Sequence, residues 1–152
     1  MSRFSRPLRA ELQNDRETWR LLDPLIYLDA VHGVIEVPAG FETDFTTTKP
    51  LRTIAVALLT ASVVLAILPW GWLCWVALLL GIAALALYAA MVGYANKPSA
   101  VHDWVYQTRR LPRREADDIY RRACRDDGIA RWRAWIMWIG VRVGAASRYG
   151  KR

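Results

Sequence analysis

The sequence predicts an α+β fold: a small β-hairpin plus about three short helices, interrupted by a two-helix transmembrane hairpin. Three observations predict it. Residues 54–94 are almost wholly apolar apart from one Pro69-Trp70-Gly71-Trp72 turn. The segment before them carries short β-rich runs, and the segment after them carries apolar residues at helical spacing.

Taken in order, Thr18 to Asp29 (TWRLLDPLIYLD) reads as an extended segment broken at Pro24, and Gly33 to Pro38 (GVIEVP) as a second strand. His32-Gly33 supplies turn chemistry between them, so a β-hairpin is expected and His32 is expected to be an exposed turn residue. Ala39 to Pro50 has neither period and reads as a polar loop.

Ile54 to Leu68 contains only Ala, Val, Leu, Ile, Thr and Ser, and reaches roughly the 17 residues of a minimal span if Leu51 to Thr53 join it with Arg52 snorkelling. Trp72 to Tyr94 has no charge, and Gly81, Gly93 and its alanines are types that permit close helix packing in lipid. Pro and Gly break the helix between the two runs, where Trp70 and Trp72 suit the membrane interface. A buried helical hairpin in a soluble core is the alternative, but long uncharged runs are the usual mark of spanning segments. Lys49 and Arg52 precede the hairpin and Lys97 follows it, while the turn has no Lys or Arg. The expectation is therefore a multi-pass membrane protein with two spans and both termini cytoplasmic. Residues 1–50 and 96–152 would be two parts of one cytoplasmic domain, and 51–95 the hairpin.

After the hairpin, Ser99 is a fair N-cap for a helix through Tyr106, which places His102 and Tyr106 one turn apart on one face. Pro112 opens a second helix, where Ala116, Ile119, Tyr120 and Ala123 form an apolar face and Asp126-Asp127-Gly128 ends it. Its Asp117, Asp118, Arg121, Arg122 and Arg125 read as a solvated, salt-bridged face. The last helix, about Ala130 to Ser147, spaces Trp132, Trp135, Ile136, Ile139 and Val143 on one face. Trp132 and Trp135 beside arginines are an interfacial composition, with a domain-core role as the other reading. Gly140 and Gly144 indicate close packing at most.

Charge is unevenly placed. Of the net +7, residues 1–53 contribute −1 (seven basic, eight acidic) and residues from Ala95 onward +8 (fourteen basic, six acidic). An arginine-rich segment held beside a bilayer is attracted to anionic lipid headgroups, and nucleic acid is the competing partner. No nucleic-acid-binding motif accompanies the arginines, so the bilayer is preferred. Cys74 and Cys124 lie in different parts of the chain and are expected to be reduced.

Two clusters carry possible chemistry, Gly40 to Thr47 (GFETDFTT) and Val101 to Tyr106 (VHDWVY). With Val37 to Phe45, Val101 to Tyr106, Arg114 to Asp117 and Trp132 to Gly144 in this order, the chain resembles a small phage and prophage family known as domain of unknown function 1353. The family usually has Ser and then Pro shortly after its TDF triplet, where this chain has Thr47 and a displaced Pro50. It ordinarily joins its two motifs by a short connection, which here has become the hairpin. The resemblance implies a phage-type protein and supplies no reaction.

If the domain closes over the hairpin, Asp44, Thr47, His102 and Asp103 could converge. Carboxylates with an imidazole can bind Zn or Mn, with Asp44, His102 and Asp103 as ligands, or act as base and orienter in hydrolysis. His-Asp adjacency is also similar to metal-dependent phosphohydrolases of the HD type, whose further ligands have no counterpart here. The favoured expectation is structural: Asp44 caps a turn and His102 hydrogen-bonds to it, with no cofactor. Asp103 equally suits the first turn of its helix. Three functions follow: a membrane-anchored accessory or structural protein, associating with other phage proteins or itself; a membrane-tethered metal-dependent hydrolase; and a nucleic-acid-binding protein.

Overall fold

In the N-terminal part, alternation of buried and exposed side chains makes strands from short runs. The computed structural model describes residues 3–45, 49–68, 71–91 and 94–144. Strands β1 (Ala10–Leu12), β2 (Trp19–Leu21), β3 (Leu25–Asp29), β4 (Gly33–Val37) and β5 (Glu42–Thr43) precede helices α1 (Lys49–Ala66), α2 (Gly71–Met91), α3 (Asn96–Thr108), α4 (Arg113–Asp126) and α5 (Arg131–Gly144). The expected break at Pro24 separates β2 from β3, and the expected hairpin is β3–β4, paired from Leu25↔Val37 to Asp29↔Gly33. Gly33 takes φ +73°, the left-handed turn conformation that favours glycine. The expectation missed β1 and β5, which flank β2 in a three-stranded antiparallel sheet; strands of three and two residues carry too few alternations to announce themselves.

The chain divides into two compact units, residues 1–47 with 93–152, and residues 48–92. In the first, Leu21, Leu25, Tyr27 and Val37 from the strands meet Val101, Val105, Ala116, Ile119 and Ala123 from α3 and α4 in one buried cluster. α4 behaves as its spacing predicts on that face and stops at Asp127, with Gly128 at φ +86°. α3 begins four residues earlier than its sequence suggests. Its N-cap is Ala95, held left-handed at φ 66°, and Ser99 is a buried residue inside the helix. Asp103 therefore lies two turns in, and the helix dipole at the first turn does not account for it. On α5 the core reading of the aromatic stripe is not met. Its buried residues are Ala134, Met137, Gly140 and Val141, while Trp132, Trp135, Ile139 and Val143 are exposed. Small residues let α5 approach its neighbour closely, and this turns the large apolar stripe outward.

The second unit is a helical hairpin. Ser62 Oγ donates to the Ala77 carbonyl at 2.8 Å, and a Cβ at Gly81 would lie 2.9 Å from that same oxygen. Ala55, Leu73, Ala77 and Ala84 are its buried residues. α2 continues through Gly71 and Trp72, so the helix resumes within the expected Pro-Trp-Gly-Trp turn; Pro69 and Trp70 lie outside the described residues. Of the two expected spans, length and composition support one. Among the described residues one helix, Gly71–Ala89, is long and apolar enough to cross a membrane, with mean hydropathy 2.2, whereas the apolar part of α1 is the shorter Thr53–Ala66. Lys49 and Arg52 begin α1 and shorten its uncharged stretch.

Candidate functional site

The strongest electrostatic feature of the larger unit is a carboxylate that spacing alone assigned to solvent. Asp117 is fully buried on α4. Its Oδ1 accepts from Tyr106 Oη at 2.5 Å and faces His102 Nε2 at 3.2 Å, while Oδ2 accepts from Arg142 Nη1 at 3.1 Å and lies 3.8 Å from Arg113 Nε. Arg113 Nε also donates to Tyr106 Oη at 3.3 Å, and its Nη2 donates to the Arg142 carbonyl at 2.5 Å. Three helices are thus tied through one acidic group. Burial alone would raise the Asp117 carboxyl; contacts from His102, Tyr106 and Arg142 outweigh it and hold the carboxyl below its usual range.

His102 is the second buried member, with its ring centroid 4.1 Å from that of Tyr106, as their one-turn spacing predicts. Its Nδ1 stands 3.8 Å from Asp103 Oδ1, beyond direct hydrogen-bond reach yet close enough for charge attraction. Burial opposes the charged ring, and the carboxylates of Asp103 and Asp117 outweigh burial and raise the His102 pKa. Asp103 in turn accepts from Thr43 Oγ1 at the end of β5, and Thr43 Oγ1 accepts from Phe45 N at 3.2 Å. Thr43, Asp103, His102 and Asp117 therefore form a chain of contacts from the strand half to the helical half.

Of the residues singled out by sequence, His102 and Asp103 are together here. Asp44 is exposed, and Thr47 lies outside the described residues. The loop residue that enters the cluster is Thr43, and the carboxylate meeting His102 Nε2 is Asp117; neither was among the sequence candidates. The alternation Phe41 buried, Glu42 exposed, Thr43 buried, Asp44 exposed is the pattern that selects Thr43. Among the described residues, no group of three or more His, Cys, Asp and Glu side chains has an arrangement fit to hold a metal ion. Asp117 illustrates why, since guanidinium groups and a phenol occupy the oxygens a cation would need.

A second buried acid secures the β-hairpin. Asp29 receives Arg122 through a bidentate pair at 2.7 and 3.0 Å, and its Oδ2 accepts from Val31 N and His32 N. Burial would raise its carboxyl, but Arg122 and these amides hold it low. The solvated-face expectation for α4 is thus corrected at Asp117 and Arg122. His32 is half-buried with Nε2 3.5 Å from Glu115 Oε2, so it is less exposed than a turn position suggested. Cys74 and Cys124 are free, as expected, and burial pushes the Cys124 thiol up to about 12.

The expected interface residues divide into separate environments. Trp72, Trp132 and Trp135 are exposed, whereas Lys97 forms a 2.8 Å pair with Asp127. The Arg52 side chain and all of Trp70 lie outside the described residues.

These features define a small α+β unit stitched together by buried ion pairs, in a chain that also carries an apolar helical hairpin. Residues 83–141 match the model of a family described as Protein of unknown function (DUF1353). The resemblance drawn from the motifs therefore holds for that stretch, which begins within α2 and includes α3, α4 and most of α5. No curated protein and no solved structure matches the chain significantly.

Proposed function

We propose that the chain is a phage- or prophage-type accessory or structural protein, anchored in a membrane by its hairpin and holding a small basic unit at the cytoplasmic face. The observation that carries this reading is α2: its Gly71–Ala89 stretch is strongly apolar, yet only 17% of it is buried. A core helix of a water-exposed protein hides such a surface; a lipid-facing helix does not. Trp72, Trp75, Leu79, Ile82 and Leu85 are among the exposed side chains that lipid would cover. The 21 residues of α2 reach roughly 31 Å at about 1.5 Å per residue, near a full hydrocarbon thickness. α1 is the finer part of the proposal. Its apolar stretch needs the bilayer to thin or the flanking Lys49 and Arg52 to snorkel, which makes it the second, shorter span. Both termini are then cytoplasmic.

Fractionation tests the anchor: the protein is expected in the membrane fraction after alkaline carbonate washing, and release without detergent sinks the reading. Orientation is tested by an impermeant maleimide on cysteines placed at either terminus, where labelling from outside of one or both overturns it.

The buried cluster around Asp117 has a structural role in this proposal. Its acidic oxygens already have partners, which supports packing over hydrolysis. In the competing hydrolase reading, the purified protein carries stoichiometric Zn or Mn, lost in a His102→Ala variant that stays folded. Loss of folding in that variant with no metal in the parent protein is the outcome expected here. A nucleic-acid role predicts retention on DNA or RNA with steep salt dependence.

A further inference from the structure

The larger unit has a cavity of about 340 Å³ between α4, α5 and the N-terminal segment, and its charge is one-sided. Arg3, Arg121, Arg122, Arg125 and Arg131 line it, with Asp126 as the acidic residue of the lining. Even when Asp29 is set against Arg122, five guanidiniums face two carboxylates. Three of the five are held in position. Arg122 is fixed by its bidentate pair with Asp29, Arg125 Nη1 donates to the Ile129 carbonyl at 2.5 Å, and the Arg121 guanidinium lies 4.6 Å from the Trp135 ring centroid. Arg3 Nε lies 3.9 Å from Asp126 Oδ2, which leaves Arg121, Arg125 and Arg131 as like charges around one concavity; an anion with several acceptor oxygens relieves their repulsion.

We infer that this cavity is a binding site for the phosphate of an anionic phospholipid headgroup. The inference rests on the membrane reading for the source of the phosphate only. What favours lipid is the rim: Trp135 lines the cavity and begins an exposed stripe on α5 that continues through Ile139 and Val143, with Trp132 one turn before it. Guanidiniums beside exposed tryptophan and aliphatic side chains match a surface where phosphate and acyl chain meet. A nucleic acid supplies phosphate but no apolar phase for that stripe. Trp132, Trp135, Ile139 and Val143 face outward, and Ala134, Met137, Gly140 and Val141 form the buried face of α5.

The test uses the full chain in non-ionic detergent, with short-chain phosphatidic acid, short-chain phosphatidylcholine and glycerol 3-phosphate as probes, by native mass spectrometry and calorimetry. Phosphatidic acid is expected to bind one to one, and the pair Arg121→Gln with Arg131→Gln to weaken it about tenfold or more. Arg110→Gln with Arg114→Gln, the same charge change at exposed positions outside the cavity, is expected to leave binding within about twofold. Should the Arg121 change unfold the unit, Arg131→Gln alone, at an exposed position, still reads the site. Equal loss in both pairs overturns the site in favour of diffuse attraction, and equal binding of phosphatidylcholine overturns charge recognition. Glycerol 3-phosphate binding as tightly as phosphatidic acid overturns the lipid assignment. Micelle binding does not require a spanning helix, so failure here and failure of the carbonate wash are separate results.

Discussion

Among the described residues of the hairpin unit, the buried side chains are Ala55, Ala77, Ala84 and Leu73, while many large apolar side chains, such as Ile54, Trp72, Trp75, Leu79 and Ile82, are exposed. In the α+β unit, Asp29, His102 and Asp117 are buried among leucine, valine and tyrosine, and arginines are outside. Small residues suit close helix contact. Paired charges instead give the small unit directional contacts that join segments far apart in sequence, such as Asp29 with Arg122 and Thr43 with Asp103. The contrast shows that hydrophobicity sorts residues inward in one unit only.

The largest expected break in this contrast is Asp117→Asn. It leaves Arg113, Arg142 and His102 without their shared counter-charge, and the α+β unit should lose about 3 kcal/mol or more in thermal or denaturant unfolding. A loss below about 1 kcal/mol would show that the cluster contributes little beyond its packing. Asp29→Asn should cost about 2 kcal/mol, because it weakens a bidentate pair and two amide contacts at the β-hairpin turn.

Titration sharpens the same comparison. The lowered carboxyls of Asp29 and Asp117 contribute stability that is present above the ordinary value of 3.8 and lost as pH falls through their folded values. The raised His102 contributes stability that is complete below 6.5 and lost as pH rises through its folded value. The melting temperature of the α+β unit should therefore be highest between these limits; a melting temperature that keeps rising above neutral pH contradicts the His102 assignment. Within the hairpin the effects are smaller. Gly81→Ala should cost about 1 kcal/mol through its contact with Ser62 Oγ, and Ser62→Ala about 0.6 kcal/mol. The double variant should cost less than the sum, since removing the oxygen makes room for the added Cβ; strict additivity by unfolding in micelles would break that account.

Much of this architecture is legible from local pattern. The β3–β4 hairpin and the apolar face of α4 each repeat a readable period, and the two apolar helices show as long uncharged runs. What pattern could not assign were residues whose environment is set by distant partners. Asp117 sits beside Ala116 and one turn from Tyr120, inside the widened buried face of α4, but only Arg142 and His102 make a charge tolerable there. Thr43 lies in a two-residue strand too short to show a period, although its alternation with Glu42 and Asp44 directs the hydroxyl inward. The outward stripe of α5 was ambiguous for a related reason: tryptophan serves a core and an interface equally, and the small residues on the opposite face decide between them.

The division of the α+β unit into residues 1–47 and 93–152 bears on how the protein is made. Tyr27 bonds Asp126 across 99 positions of chain, and Asp29 bonds Arg122 across 93. During synthesis, the first strands emerge long before α4 exists, so their inner faces wait while the hairpin is completed. The hairpin needs only sequence-local contacts and can form early, whereas the unit that surrounds it in sequence closes last. A ribosome pausing after the hairpin would hold a finished helix pair and an unfinished domain, and that interval is when a chaperone has the most to protect.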